Sequence, residues 1–145
     1  MSDELKGRIL VSCQLCIVAF LVLTTKWQLF NGIALGFYCG SFSITIRSLI
    51  VMPLGSFNIR PTLKSGAKLV TVGPYRYIRH PIYVGVLLFC GGLVATSWNP
   101  MRLGLLLILF IILLIKATLE EKILLSSFPE YQKLQKKTGM FTPWL

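Results

Sequence analysis

The sequence predicts an all-α protein: an integral membrane helical bundle of about four transmembrane helices, followed by a C-terminal amphipathic segment. Three observations point there. Hydrophobic residues make up 54% of the 145-residue chain against 14% charged, and mean hydropathy is +0.72, a profile foreign to soluble domains. The apolar residues gather into runs long enough to span a bilayer. The basic residues fall in the gaps between those runs. A net charge of +10 alone would invite nucleic acid, but phosphate binding needs an exposed basic face, so no nucleic-acid partner is expected. Residues 1–145 read as one domain.

Ile9 to Thr25 forms the first span, just enough for a hydrocarbon core of about 30 Å at about 1.5 Å per residue. No small-residue cleavage site follows it, so it reads as a retained span and not a removed signal. Lys26 and Trp27 serve as interface anchors. The second span runs from Gly32 to Met52 and ends at Pro53-Leu54-Gly55. Gly32, Gly36 and Gly40 recur every fourth residue, which predicts a face for close helix approach. Arg47 lies inside this span. A charge at the bilayer centre costs about 2.5–3.5 kcal/mol, so Arg47 either snorkels to the surface or anchors an anionic headgroup.

Residues 55–81 make the longest polar connection, with Arg60, Lys64, Lys68, Arg76 and Arg79 and no acidic residue. The third span is Ile82 to Trp98, and Asn99-Pro100-Met101-Arg102 is a tight turn. The fourth helix starts near Leu103, stays apolar to Ile115, and continues through Lys116 and Glu120-Glu121 to Leu125. The tail from Ser126 to Leu145 carries Phe128, Tyr131, Phe141 and Trp144 among lysines, and reads as a surface-lying amphipathic segment. Cys13, Cys16, Cys39 and Cys90 sit in apolar runs and read as buried free thiols. The single C-x2-C pair, without a second pair or a nearby histidine, predicts no metal site.

Topology follows from the positive charges. Lys6 and Arg8, the five basic residues of the 55–81 connection, and Lys116, Lys122, Lys133, Lys136 and Lys137 fall on one side of a four-span bundle, with Lys26 and Arg102 on the other. This predicts a multi-pass protein with both termini and the long connection cytoplasmic. His80 and Glu120 then share a side.

The stretch Gly73 to Gly85 packs two arginines, three tyrosines, two prolines and the only histidine of the chain between oily segments. On the same side of the membrane stand Lys116 and Glu120, four residues apart on one helical face, with Glu121 about 100° away. Taken singly, a histidine at a helix start is ordinarily a cap, and a Lys-Glu pair there a snorkelling ion pair. Taken together, they form a candidate site for a polar ligand at the membrane surface.

The pattern Gly73-x-Tyr75-x3-Arg79-His80-Pro81-x-Tyr83-x-Gly85, followed one span later by Glu120-Glu121-x2-Leu124 and then Phe128 and Tyr131, resembles the isoprenylcysteine carboxyl methyltransferase and phospholipid methyltransferase superfamily. These are integral membrane enzymes that use S-adenosylmethionine. The likeness covers about residues 60–145, and the first two spans share only hydrophobicity with it. It implies cofactor contacts from Lys68, Leu69, Val70, Tyr75, His80, Pro81, Ile82, Tyr83 and Glu120. It also implies a substrate-side residue at Lys116, where the isoprenylcysteine branch carries arginine, and Ala67 stands where a polar residue is common. Lysine keeps the charge of arginine but loses the planar fork that grips a carboxylate. Both departures bear on the substrate more than on the cofactor.

The chemistry of these residues suits that implication. A carboxylate such as Glu120 accepts charge-assisted bonds from hydroxyl or ammonium groups. Backbone amides of the Gly73-Pro74 turn and of the third helix start can meet a carboxylate. Tyr75, Tyr77 and Tyr83 offer ring faces to adenine or a sulfonium. A carboxylate acceptor needs no base, and Lys116 or Arg47 would orient it; an amine acceptor must lose a proton, and Glu121 or His80 would take it. The expected activity is methyl transfer to a lipid or prenylated acceptor, with isoprenylcysteine-type O-methylation ahead of phospholipid N-methylation. A multispan binding protein without catalysis is the alternative of a different class. A small exporter would need an acidic residue within a span, and the first three spans have none.

Overall fold

The computed structural model describes residues 3–27, 31–52 and 69–143. Among them five α-helices follow in order: α1 (Asp3–Leu23), α2 (Gly32–Val51), α3 (Pro81–Thr96), α4 (Pro100–Ser127) and α5 (Tyr131–Gln135), with a 3-10 turn at Gly73–Arg76. The bundle is all-helical. α1, α2 and α4 are long and apolar enough to cross a membrane, whereas α3, with 16 residues, rises only about 24 Å.

Local chemistry sets the helix starts. Pro81 and Pro100 stand in the first turns of α3 and α4, where a missing N–H leaves no bond unmade. Asn99 caps α4 by accepting from the Met101 N–H at 2.8 Å. Asn31 caps α2 from the Ala34 N–H at 3.1 Å, and its own amide donates to the Ala95 carbonyl at 2.9 Å. The start of α2 is thereby tied to the end of α3.

α2 and α3 pack most intimately, but not through the glycine stripe of α2. Side-chain space at Gly32 and Gly36 is open, and at Gly40 only Leu88 comes within ordinary contact, 3.6 Å. The stripe turns largely outward. The close approach is made instead by α3: a Cβ at Gly92 would stand 2.5 Å from the Tyr38 ring. Ser41 adds a hydrogen bond to the Gly85 carbonyl at 2.8 Å across the same seam.

The core is Leu21, Cys90, Leu93, Val94, Leu109 and Leu113, drawn from α1, α3 and α4. Phe20, Leu23, Ile33, Phe42, Leu107 and Ile111 are exposed on the outside, as a bundle solvated by lipid requires. Of the four free cysteines only Cys90 is buried; Cys13, Cys16 and Cys39 are exposed on outer helix faces. Lipid-facing apolar positions had been indistinguishable from core positions by composition.

Arg102 departs from its reading as a turn residue. It is 5% exposed, and its guanidinium donates to the Leu21 and Leu93 carbonyls at 3.0 and 3.2 Å and to the Thr24 hydroxyl at 2.6 Å. The carbonyl-rich ends of α1 and α3 attract that cation.

The tail also does more than lie on a surface. Tyr131 is 2% exposed, and Thr138 and Gly139 are buried. The segment folds back so that the Arg79 N–H donates to the Gly139 carbonyl at 2.9 Å and the His80 N–H to the Met140 carbonyl at 3.1 Å. Unpaired amides just ahead of α3 find their acceptors there.

Candidate active site

The turn that leads into α3 depends on Gly73, whose φ of +61° is left-handed and whose missing side chain leaves room for Val51. From this turn the chain reaches Arg79 and His80 and then α3, beside the far end of α4. The two polar patches seen in the sequence therefore meet.

Glu121 is the hub. Its Oε1 accepts from Arg79 Nε at 2.6 Å and from His80 Nε2 at 3.2 Å, and its Oε2 accepts from Gln135 Nε2 at 2.7 Å. Arg79 Nε and Gln135 Nε2 can only donate, so this side chain fits the arrangement as a carboxylate, which in turn makes His80 Nε2 the donor of its bond. Arg79 also donates to the Gln135 carbonyl at 3.3 Å and to the Thr138 carbonyl, which binds α5 and the tail to the same point.

With Nε2 directed at Glu121, the other nitrogen of His80, Nδ1, faces Glu120 Oε2 at 3.6 Å. His80 is buried and stacks on Tyr83, centroids 5.4 Å apart and planes 11° apart, while Phe141 meets both rings at their edges. The Tyr83 hydroxyl donates to Glu120 Oε1 at 2.5 Å. Tyr75, on the turn, is half-buried; burial first, and then the Glu120 carboxylate, push its phenol up to about 12. It stays a neutral donor throughout the physiological range.

Lys116 does not pair with Glu120 on the helix surface. It is 2% exposed and points inward, donating to Gln14 Oε1 of α1 at 2.8 Å with its ammonium 5.0 Å from the centre of the Tyr83 ring. No carboxylate lies within ion-pair distance of it among the described residues.

His80, Tyr83, Glu120, Glu121 and Lys116 thus come together. Leu69 and Val70 are half-buried just ahead of the turn, Pro81 is buried and Ile82 half-buried at the start of α3, and Lys68 lies outside the described residues. Arg47 is exposed on α2, and none of the described hydrogen bonds or ion pairs joins it to this cluster. The Arg79 and His80 amides, just ahead of α3, are occupied by the tail.

Sequence reasoning placed Arg79 in the motif without a contact role and Phe141 only among the tail aromatics, and did not single out Gln14, Gln135 or Thr138. Gln14 did leave a signal: an amide inside an apolar run is costly without a partner. The others left none, because they act through contacts across more than one element.

A helical membrane bundle with the Arg79-His80-Pro81 motif folded onto Glu120-Glu121 is the arrangement implied by the resemblance to integral membrane methyltransferases. The family model for phospholipid methyltransferase matches residues 27–131, well over half of the chain, and the protein belongs to that family. It is accordingly an S-adenosylmethionine-dependent membrane methyltransferase, of the superfamily that also holds the isoprenylcysteine carboxyl methyltransferases. The match takes in α2, which the motifs alone related to the family only by hydrophobicity, and leaves out α1 and the tail beyond Tyr131. Searches among curated proteins and among solved structures return no match.

The residues present fit the cofactor that this family uses. Glu120 keeps Oε2 without a hydrogen bond among the described residues, an acceptor for a ribose hydroxyl or an ammonium. Tyr75 adds a neutral donor and an aromatic face beside it.

Proposed function

We propose that this protein transfers the methyl group of S-adenosylmethionine to a carboxylate carried by a lipid-like molecule. The observation that carries the reading is the buried Lys116 ammonium, held by a neutral amide and a neutral ring, with no carboxylate within ion-pair distance among the described residues. A cation so placed is complementary to an anion arriving from the membrane. When bound, S-adenosylmethionine would supply a methyl carbon activated by its sulfonium for transfer to the acceptor oxygen, with a neutral thioether as the leaving group. No proton need move.

Glu120, Tyr75, Tyr83, His80, Pro81, Ile82, Leu69, Val70 and Lys68 would hold the cofactor, with Lys116 on the acceptor side. Glu121 supports these residues by fixing Arg79 and His80. Its three donors leave it poorly disposed to take a proton from an amine, which disfavours an N-methylating role for it. The second reading, phospholipid N-methylation, is favoured by the name of the family that the chain matches, and would draw on His80 or Glu120 as base. The charge distribution of the sequence supports a site on the cytoplasmic face.

Incubating the purified protein with labelled methyl donor and a panel of prenylated cysteines, fatty acids and phosphatidylethanolamine decides between them. Label in an alkali-labile ester supports the proposal. Label confined to the amine lipid overturns it in favour of the second reading.

A further inference from the structure

α1 and α4 run antiparallel and share two polar contacts along their seam. In one, Arg102 binds the Leu21 carbonyl and Thr24; in the other, Lys116 binds Gln14. The first contact satisfies carbonyls freed by the end of a helix. The second has no such reason. Gln14 sits within the apolar run of α1, in mid-helix, where its amide answers no capping need.

We propose that Gln14 is an acceptor-positioning residue, supplied by the one long helix that lies wholly outside the family match. The proposal rests on the carboxylate-acceptor reading above. Three features argue for it. The Gln14 carbonyl takes one N–H of the Lys116 ammonium, and the Tyr83 ring lies beneath it, so at least one further N–H is left for a ligand. The Gln14 amide nitrogen has no hydrogen-bond partner among the described residues, so it adds N–H donors beside that ammonium. The ammonium adjoins Tyr83, whose hydroxyl binds Glu120, so the Lys116–Gln14 pair stands near the expected methyl donor.

Lysine offers a point charge where arginine would offer a planar fork. Beside Lys116, an amide restores a second directed donor. An ammonium and an amide on neighbouring helices can grip the two oxygens of one carboxylate, as a single guanidinium would. This fits a lipid-borne carboxylate and would be spoiled by a second anion at the same place.

The test compares wild type with Gln14→Leu and Gln14→Glu in detergent, using oleate as the carboxylate lipid and S-adenosylmethionine as the control ligand, each by titration. Wild type should bind both. Gln14→Leu should weaken oleate about fivefold or more, and Gln14→Glu, which places a carboxylate beside Lys116, about tenfold or more. Both variants should bind S-adenosylmethionine as wild type does, which also shows that they fold. With any acceptor found active, KM should rise and kcat hold. Oleate binding unchanged in both variants overturns the role of Gln14 and leaves the carboxylate reading intact. Wild-type protein that binds S-adenosylmethionine but no oleate overturns both.

Discussion

Arg79 and Glu121, 42 residues apart in the chain, are joined by a 2.6 Å bond from Nε to Oε1 that links the approach to α3 with the end of α4. The same guanidinium reaches the carbonyls of Gln135 and Thr138, and the same carboxylate reaches His80 and Gln135. One ion pair therefore holds the turn, α4, α5 and the tail. Removing one partner strands the other: a buried pair broken from one side costs about 3–5 kcal/mol.

Glu121→Gln should accordingly free the tail. Trypsin cleavage at the exposed Lys136 and Lys137 should quicken several-fold relative to wild type, and thermal stability should fall. An unchanged digestion pattern would show that the tail is held by its other contacts alone.

Glu120 and Lys116 are one helical turn apart but face different partners. Glu120→Gln should weaken S-adenosylmethionine about tenfold or more, the scale of a hydrogen bond to a charged group. Lys116→Ala should leave that affinity within about twofold and lower turnover of the acceptor. Titration of the donor and steady-state kinetics read the two effects separately. Equal losses of cofactor affinity would contradict the division of roles.

Arg102 lies at the opposite end of the bundle from this cluster. Replacing it with methionine removes one donor each from the Leu21 and Leu93 carbonyls, which keep the Thr25 hydroxyl and the Ser97 N–H, and takes away the donor to the Thr24 hydroxyl; the unfolding midpoint in detergent should fall. Arg102→Lys should rescue only part, because one ammonium cannot span the spread of acceptors that the guanidinium meets. Cofactor affinity of the folded fraction should hold.

Alkaline pH should destabilise the fold through its buried phenols. Burial, and then Glu120, push Tyr75 up to about 12, and burial likewise raises Tyr131, followed by the Glu121 carboxylate beside it. The unfolded chain releases these protons near pH 10, so the folded state binds more protons above that point and stability falls as pH climbs toward 12. The contribution is fully present below pH 10. Unfolding midpoints measured from pH 8 to 11 should drop less steeply in the Tyr75→Phe, Tyr131→Phe double variant than in wild type.

Much of the fold was legible in advance because its determinants are local. Apolar runs of bilayer length and a proline at the start of α3 each state their structure within a few residues, whereas Asn99 and Pro100, read as a tight turn, cap and open α4. The motif from Gly73 to Gly85 and the Glu120-Glu121 pair marked the site for the same reason: their residue types are conspicuous in an oily sequence. What the amino-acid order could not convey was rotation about helix axes. An apolar helix has little amphipathic contrast to show which side meets a neighbour. So Gly32 and Gly36 were read as a seam although Gly92 makes it, and three cysteines were read as buried although they face outward. Only packing decided that Lys116 turns inward to Gln14, that Arg102 gathers the ends of α1 and α3, and that the tail returns to Arg79. Those bonds join residues far apart in the chain, and a buried polar group takes whichever partner the packed helices leave within reach.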